Sequence, residues 1–461
     1  EVVQMKLLFT LAFVLSVGCA DTKTDQCVDG SHRENGRCVP NSDGGTLNDA
    51  GSKPDIFEGF ARVTGTVWGP GKKFPVAGAL VAAYKTRPEN IPEETYCQRC
   101  VEIPLGTPYA ETGPDGTFDL ELAAKRKYFF VVQKGQFRRV TEFDAPPVGE
   151  YAVPESYTTF PSMANQSAGD MVPKIALVYG DYDSIQDVLA KAGMGKEDGD
   201  YGLLWGSENV SFDVYDNSGP GEESHGQKLE NLILDAARLN QYHLVFFACS
   251  YNANFSFMEN PKAQENLREY VRKGGKLYVS DYAYAVAEMV WPEFIWFTDP
   301  LHGGCQEKKF PDGCNHGPPF DAPARSLDQD LSKWLLNVDP TVSSAPDGQA
   351  TFETKENWDT IGSIAASYVG DDPETGDPIN MEPKVWVEGT WNYEIEDVGQ
   401  TWDWNTYHPM TVSWPFGCGR VLYTTYHTVG NEGRHPGFLT QELILWHLIM
   451  ELQACQEHRV L

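Results

Sequence analysis

Two hydrophobic patterns follow one another along the chain. Between residues 58 and 140, apolar residues alternate with polar ones, as at Phe118, Leu120 and Leu122. Alternation with a period of two indicates strands that bury one face. Turn signals such as the Pro-Asp-Gly sequence at 114–116 separate these strands, and no helical period lies between them. We therefore predict a small antiparallel β-sandwich over 58–140.

A different pattern begins near residue 173. Continuous apolar runs, which are typical of strands covered on both faces, alternate with segments of helical period. The predicted strands are KIALVYG at 174–180, FDVY at 212–215, YHLVFFACS at 242–250, KLYVSD at 276–281 and GRVLYTTYH at 419–427. Predicted helices lie at about 183–193, within HGQKLENLILDAARLNQ at 225–241, from Asn260 and Pro261 to Gly274, and at about 436–454. In the second of these, Leu229, Leu232, Ile233 and Ala236 form the apolar face. This alternation predicts a doubly wound α/β domain with a parallel sheet over 173–461.

Two segments carry neither pattern. Residues 141–172 contain four prolines and little periodicity, so we predict a linker between the two domains. Residues from about 298 to 408 are rich in Asp, Pro, Gly and Trp. A segment of that length is too long for a simple loop in a compact domain, so we predict an insertion with short elements of its own.

The N-terminal segment carries an export signal. Lys6 and the apolar run LLFTLAFVLSVG suit a signal peptide over 5–18, because the run is too short to span a bilayer. The run ends in LSVGC, which resembles the bacterial lipobox, although Ser16 stands where an aliphatic residue is usual. The resemblance implies a lipid anchor on Cys19, with an ordinary secretory signal as the alternative. The residues that follow Cys19 favour the outer membrane by the same resemblance, and residues 19–57 are predicted to form a cysteine-containing knob and a flexible spacer.

The amino-acid composition limits the classes of partner that the chain can bind. The 461 residues include 66 acidic and 36 basic ones, which gives a net charge of −30 and a pI near 4.6. Counterion release on a nucleic acid needs clustered Lys and Arg, so nucleic acid is a poor partner. We expect the membrane as a partner through the lipid, and a protein or glycan partner in the envelope. Exposed tryptophans would stack on sugars, whereas buried ones would belong to the core; the crowded ones are Trp386, Trp391, Trp402, Trp404 and Trp414.

Export implies an oxidising compartment, in which disulfides are the default for cysteine. Three closely spaced pairs are disulfide candidates: Cys27 with Cys38, Cys97 with Cys100, and Cys305 with Cys314. The last pair, with His302 and His316, has spacing that also fits zinc, but export favours a disulfide-closed loop. Cys249, Cys418 and Cys455 remain, so at least one cysteine is free or pairs with another chain.

The first domain resembles carboxypeptidase regulatory-like domains, which have a transthyretin-like sandwich fold. The residues that carry the resemblance are GTVWG, PVAGALVAAY, AETGPDGTFDLEL and YFFVVQKG. The CQRC segment departs from the usual short loop. The resemblance implies a non-catalytic spacer or recognition module.

In an open α/β sheet, ligands bind at the carboxyl ends of the strands. Cys249 follows one predicted strand and His427 ends another, with Glu432 five residues later. A thiol activated by His, with a carboxylate orienting the imidazole, is an arrangement for acyl transfer. This order resembles the class I glutamine-amidotransferase-like superfamily, which implies a flavodoxin-like fold over 174–297 and 409–455.

Two departures from that superfamily count against glutaminase activity. Active members have a Gly-x-Cys-x-Gly elbow and a late His followed by Pro-Glu, whereas this chain has Ala248 and Ser250 beside the cysteine and Thr428 after the histidine. Without flanking glycines, Cys249 fits a buried small hydrophobe. The alternative is a Cys-His hydrolase or amidase with Cys249, His427 and Glu432 as catalytic residues.

Acidic residues also follow the predicted strands. Asp181, Asp183, Asp281 and the loop at 371–377 offer oxygen ligands for calcium, but we expect a solvated acidic surface. We predict no cofactor and no metal. The sequence as a whole predicts an exported envelope lipoprotein with a binding or structural role and leaves enzymatic activity open.

Overall fold

The computed structural model describes most of the chain between residues 59 and 452, together with two short strands before it. The described residues are 31–34, 37–40, 59–98, 101–206, 210–218, 224–250, 257–297, 315–372, 375–390, 393–395, 400–402, 407–428 and 434–452. The predicted signal peptide, Cys19 and most of the spacer lie outside them. Strands β1 (Ser31–Glu34) and β2 (Arg37–Pro40) form an antiparallel hairpin within the predicted knob.

The segment with alternating polarity forms a sandwich of two sheets. Its elements are β3 (Phe60–Thr66), a 3-10 turn Pro70–Lys72, β4 (Leu80–Tyr84), β5 (Tyr109–Glu111), β6 (Thr117–Ala123), β7 (Lys127–Lys134), β8 (Phe137–Asp144), β9 (Gly149–Ala152), the one-turn helix α1 (Glu155–Thr158) and β10 (Asp170–Met171). One sheet has the order β10-β8-β7-β4-β5 and the other β6-β3-β9. In β6 the buried residues alternate with exposed ones, as the period of two predicts.

Residues 141–172 are part of this sandwich, so their prediction as a linker is wrong. Strand β9 pairs with β3 in parallel, and β10 pairs with β8 in an antiparallel manner. Each of these two strands is short, and prolines precede or follow them. Short edge strands of this kind leave no readable period in the sequence, which is why the pattern suggested a linker.

The second pattern forms a parallel sheet with helices. Its elements are β11 (Ile175–Tyr179), α2 (Ile185–Leu189) continued by a π-helical segment Ala190–Met194, β12 (Phe212–Asp216), β13 (Gln227–Lys228), α3 (Glu230–Ile233), α4 (Ala236–Leu239), β14 (Leu244–Phe247), α5 (Pro261–Arg272), β15 (Lys276–Ser280), a 3-10 turn Asp281–Ala283 and α6 (Tyr284–Val290). Helix α5 starts where the sequence predicts, because the Asn260 side chain caps it by accepting from the Lys262 N–H at 3.0 Å. The helix predicted within 225–241 is instead two short helices, since Asp235 caps a new one.

The remainder of the chain extends the same sheet. Its elements are β16 (Ile295–Trp296), β17 (Asn315–Ser326), α7 (Gln329–Val338), β18 (Ser343–Ser344), β19 (Ala350–Asp359), β20 (Ser363–Ile364), β21 (Tyr368–Asp371), β22 (Pro378–Met381), β23 (Lys384–Gly389), β24 (Tyr393–Ile395), β25 (Gln400–Trp402), β26 (His408–Phe416), β27 (Gly419–Thr424) and α8 (Thr440–Leu452). The described part of the sheet has eleven strands in the order β13-β12-β11-β14-β15-β27-β26-β23-β17-β19-β18. The first six are parallel to their neighbours, and the pairs from β27 onward are antiparallel.

The prediction that residues 298–408 form an insertion separate from the sheet is therefore wrong. Strands β17, β19 and β23 from this segment belong to the central sheet, and α7 packs beside β17 and β19. The register between β17 and β19 shifts twice. Because such irregular pairing interrupts the alternation of buried and exposed residues, the sequence pattern does not reveal these strands.

Both faces of the parallel strands are buried. In β15, Leu277 and Val279 belong to one hydrophobic core, while Tyr278 on the opposite face belongs to another. That second core also includes residues of α8 and of the sandwich. Phe74 of the sandwich, for example, lies with its ring centroid 5.4 Å from that of Trp446 in α8. The chain is thus a mixed, sheet-rich structure in which sandwich and central sheet share one core.

A disulfide also joins the two parts. Cys97, in a loop of the sandwich, is bonded to Cys418, in the turn between β26 and β27. The predicted pairing of Cys97 with Cys100 is wrong, because Cys97 takes a partner 321 residues away. Cys100, Cys27, Cys305 and Cys314 lie outside the described residues, as does the side chain of Cys38.

Among the described residues, no helix is long and apolar enough to cross a bilayer.

Candidate functional site

Three of the side chains that the sequence places at the ends of predicted strands meet at the carboxyl edge of the parallel sheet. Cys249 lies two residues after β14, Asp281 directly follows β15, and His427 lies three residues after β27. The Cys249 thiol, an Asp281 carboxylate oxygen and a His427 ring nitrogen are all within 4.8 Å of one another. We call these three residues the central cluster. The structure thus brings Cys249 and His427 together, as the acyl-transfer hypothesis requires.

Neighbouring strands place these side chains through short backbone contacts. The Cys249 N–H donates to the Ser280 hydroxyl at 3.0 Å, which ties the end of β14 to the end of β15. The Tyr423 hydroxyl in β27 donates to the Asp281 carbonyl at 3.0 Å. Because β14, β15 and β27 are adjacent in the sheet, their carboxyl ends deliver one residue each to the same point.

His427 lies between two carboxylates. Its Nε2 is 3.0 Å from Asp281 Oδ2, and its Nδ1 is 3.1 Å from Glu356 Oε2. Glu356 belongs to β19, a strand of the segment that the sequence suggested was an insertion. Glu432, the predicted partner of His427, lies outside the described residues. The carboxylates that contact the imidazole among the described residues are therefore supplied by Asp281 and Glu356.

A second aspartate from β19 adjoins the cluster. The Asp359 N–H donates to Asp281 Oδ1 at 2.8 Å, and this hydrogen bond fixes the rotation of the Asp281 carboxylate. Asp359 is 1% exposed, and within the described part of the chain neither of its carboxylate oxygens has a hydrogen-bond partner. Neither Glu356 nor Asp359 was predictable as a site residue, because neither follows a predicted strand.

The cluster is buried. Cys249 is 2% exposed, His427 1% and Asp281 0%. Burial raises the pKa of the Cys249 thiol to about 12, against the opposing effect of His427, and raises the pKa of Asp281 to about 6. Burial alone would lower the pKa of His427, but Cys249, Asp281 and Glu356 together raise it above its ordinary value. Burial and the charges of Asp281 and Glu288 raise the pKa of Asp359.

The predicted acidic surface at the strand ends is wrong for two of its members. Asp183 and Asp281 are fully buried. Asp183 accepts from the Thr428 N–H at 3.0 Å and from the Thr428 hydroxyl at 3.1 Å, so it positions the residue next to His427. Asp181 accepts from the Ser250 hydroxyl at 2.7 Å. These three aspartates serve different contacts and do not converge as a calcium site would require.

Of the five crowded tryptophans, two are buried and the side chains of the other three are not described. Trp386 and Trp414 are buried, and the Trp386 indole N–H donates to the Ser413 hydroxyl at 2.8 Å. They belong to the core, as the alternative to glycan stacking proposed. Trp391 and Trp404 lie outside the described residues, and the side chain of Trp402 is not among those described. His302 and the side chain of His316, the zinc alternative, are also outside.

Comparisons with known proteins give weak likenesses. No protein family matches the chain, and no curated protein matches its sequence. A ThuA-like protein from Bacteroides uniformis is 14% identical, with 59% of this chain and 88% of that one aligned and a TM-score of 0.32. Two cytoplasmic proteins from Salmonella typhimurium are 12% and 13% identical over 61% and 60% of this chain and 98% of each of theirs, with TM-scores of 0.30 and 0.31. Scores of this size establish no relationship.

Proposed function

We propose that this chain is an exported lipoprotein of the bacterial outer membrane, anchored through Cys19, with a binding or structural role. In this proposal the sandwich is a carboxypeptidase regulatory-like module and the parallel part of the sheet an amidotransferase-like, flavodoxin-like domain. A protein or glycan of the envelope is the expected partner.

The observation that carries the proposal is the disulfide between Cys97 and Cys418. Structural disulfides form and persist in oxidising compartments and are rare in the cytosol. The loop that holds Cys97 is also fixed to the central sheet without it, since the Thr95 N–H donates to the Asn240 carbonyl at 2.8 Å. The disulfide therefore joins two surfaces that already fit, which is typical of a native structural cross-link. It supports export, and the LSVGC sequence supports the lipid.

A non-catalytic role is favoured by the position of Cys249. Its neighbours Ala248 and Ser250 are both fully buried, so the turn after β14 does not raise the thiol above the sheet edge. A nucleophile elbow instead holds its side chain at an accessible point of a strained turn. This geometry fits a thiol that contacts other buried groups and is not presented to a substrate from solvent.

The second candidate is a Cys-His hydrolase or amidase. It is favoured by one observation: Cys249 is a free thiol in contact range of His427, with carboxylates on both sides of the imidazole. This is the set of groups that covalent acyl transfer needs. Binding and catalysis therefore differ in whether Cys249 can be reached from solvent.

Lipidation is tested by expressing the whole chain in a Gram-negative host, with Cys19→Ala as the control. We expect the wild-type N-terminal peptide to begin at Cys19 with an acyl mass and the protein to fractionate with outer membranes. The variant should lose both properties. A wild-type protein without the acyl mass, or a variant that remains in the membrane, would contradict the anchor.

Catalysis is tested by electrophile labelling of the mature protein without reductant, read by peptide mass spectrometry. Under the proposal, Cys249 stays unlabelled until the protein unfolds. His427→Ala is compared with His243→Ala, which removes a buried imidazole at the opposite, amino edge of the sheet. Rapid labelling of Cys249 that falls only in His427→Ala would establish the hydrolase instead.

A further inference from the structure

We propose that Cys249, Asp281 and His427 bind one divalent transition-metal ion, and that zinc fits the site best. The proposal goes beyond the envelope role and does not depend on it. The three potential ligand atoms already lie within 4.8 Å of one another. Ligand atoms around a tetrahedral zinc ion at bond lengths of about 2.0 to 2.3 Å are themselves roughly 3 to 4 Å apart. Little movement is therefore needed to enclose an ion.

The donor set selects the class of metal. A thiolate, an imidazole and a carboxylate are the ligands that zinc uses in proteins, whereas magnesium and calcium prefer oxygen ligands alone. Three protein ligands leave a fourth position for water or a small ligand, which is the composition of an open zinc site. The cluster therefore has the donor chemistry of a transition-metal site with three protein ligands.

Two atoms of the cluster lack the hydrogen bonds that buried polar atoms normally make. Asp281 Oδ2 and His427 Nε2 are 3.0 Å apart, yet among the described residues neither has a hydrogen-bond partner of good geometry. The side chain of His427 is 2% exposed and that of Asp281 is 0% exposed. Because the two atoms are only 3.0 Å apart, a single cation can contact both.

The outer contacts orient the ligands as they do in zinc sites. When His427 Nδ1 donates to Glu356 Oε2, 3.1 Å away, its Nε2 carries the free lone pair toward the cluster. A carboxylate behind a metal-bound histidine is a recurrent arrangement. Asp281 is fixed in the same way, because its Oδ1 accepts from the Asp359 N–H at 2.8 Å and leaves Oδ2 available.

The charge balance points the same way. Asp281 and Glu356 contact the His427 imidazole directly. Two further buried aspartates lie next to them, because the Asp359 N–H donates to Asp281 and Asp183 accepts from Thr428. Carboxylates removed from water are stabilised by a paired cation or by a metal. A divalent ion would supply this positive charge at the centre of the group.

The test uses the mature, disulfide-bonded chain without a histidine tag, refolded and dialysed with Zn²⁺ or with Co²⁺ as the optical probe. We expect one equivalent of metal per chain and, with Co²⁺, a thiolate-to-metal charge-transfer band. X-ray absorption of the zinc form should show one sulfur at about 2.3 Å and nitrogen or oxygen atoms at about 2.0 Å. This measurement needs no variant, so it decides the question even if substitutions in the core impair folding.

Variants assign the ligands. Cys249→Ser should abolish the charge-transfer band, and Asp281→Asn and His427→Gln should weaken metal binding at least tenfold. Glu356→Gln removes only the orienting contact, so it should weaken binding by about tenfold and by less than the loss of a ligand. His243→Gln, a buried histidine at the amino edge of the sheet, is the matched control and should bind like the wild type.

Three results would overturn the proposal. The wild-type chain could bind less than one equivalent, its zinc form could show no sulfur or several sulfurs, or the Cys249 and His427 variants could bind as tightly as the wild type. None of these results would affect acylation of Cys19, so this proposal and the envelope proposal fail separately.

Discussion

Removal of the Cys97–Cys418 disulfide should lower the free energy of unfolding without altering the native fold. The residues are 321 positions apart in the sequence. Closing a loop of this length reduces the entropy of the unfolded chain by an amount equivalent to about 6 kcal/mol at 25 °C, and removal of native disulfides costs about 2 to 5 kcal/mol in practice. We therefore expect the double variant Cys97→Ala/Cys418→Ala to lose about 2 to 6 kcal/mol of its free energy of unfolding.

The native state should survive because other contacts hold the same loop. The Thr95 hydroxyl donates to the Tyr242 carbonyl at 2.7 Å, and the Lys276 ammonium donates to the Gln98 side-chain oxygen at 3.2 Å. On the other side, the Cys418 N–H donates to the Arg272 carbonyl at 3.0 Å. The effect should thus arise mainly in the unfolded state, which becomes more expanded.

Urea unfolding, followed by fluorescence and circular dichroism, measures this effect. The variant should show a lower midpoint and a larger dependence of the free energy on urea, because more surface is exposed on unfolding. Reductant should move the wild-type midpoint toward that of the variant. Equal midpoints of wild type and variant without reductant would refute the reasoning, as would a variant with altered native spectra.

Three further predictions concern stability and are measured by the same urea unfolding. Burial lowers the pKa of His447 to about 4, below its ordinary 6.5, so the unfolded state binds the extra proton and stability falls as the pH drops from about 6.5 toward 4. The slope from this group is at most about 1.4 kcal/mol per pH unit, and His447→Gln should remove it; an unchanged slope would contradict the assignment. Lys191 and Glu442 form a buried ion pair at 2.6 Å, so Lys191→Met should cost about 3–5 kcal/mol, and adding Glu442→Leu should recover most of the loss. Gly180→Ala would place a Cβ 2.1 Å from a backbone oxygen of the segment after β14 and should cost about 1–3 kcal/mol, whereas Gly199→Ala meets nothing within 4 Å and should be neutral.

The parallel half of the sheet was predictable from the sequence for a physical reason. Strands such as LVFF in β14 are buried on both faces, so every residue is apolar and the run is visible without an alignment. The antiparallel half was not predictable. Its strand β19 mixes buried and exposed residues over ten positions, and its pairing with β17 contains register shifts. Such a strand is specified by its neighbours in space rather than by its own pattern.

Only those residues of the site that directly follow predicted parallel strands were predictable from the sequence. The rule that ligands bind at the carboxyl ends of parallel strands selected Cys249, Asp281 and His427 from their positions after apolar runs. Glu356 and Asp359 could not be selected, because they belong to β19, a strand of the antiparallel half that the sequence pattern does not reveal. The partner of Cys97 was missed for a similar reason, since spacing along the chain carries no information about a cysteine 321 residues away.

The backbone at two of the site carboxylates supports a functional interpretation of the cluster. Asp281 has a φ of 43° and Glu356 a φ of 56°, a left-handed conformation that side chains other than glycine rarely adopt. Each such residue costs about 1 to 3 kcal/mol and persists where the surrounding structure determines it strongly. Both residues contact the same imidazole, Asp281 at Nε2 from the turn after β15 and Glu356 at Nδ1 from β19. Neither the left-handed backbone of these two residues nor their buried carboxylates is required to form a sheet of this kind. Their coincidence at His427 therefore indicates that the fold holds the imidazole and its carboxylates in place for a bound ion or a reacting group, and counting metal ions in the wild-type chain distinguishes the two.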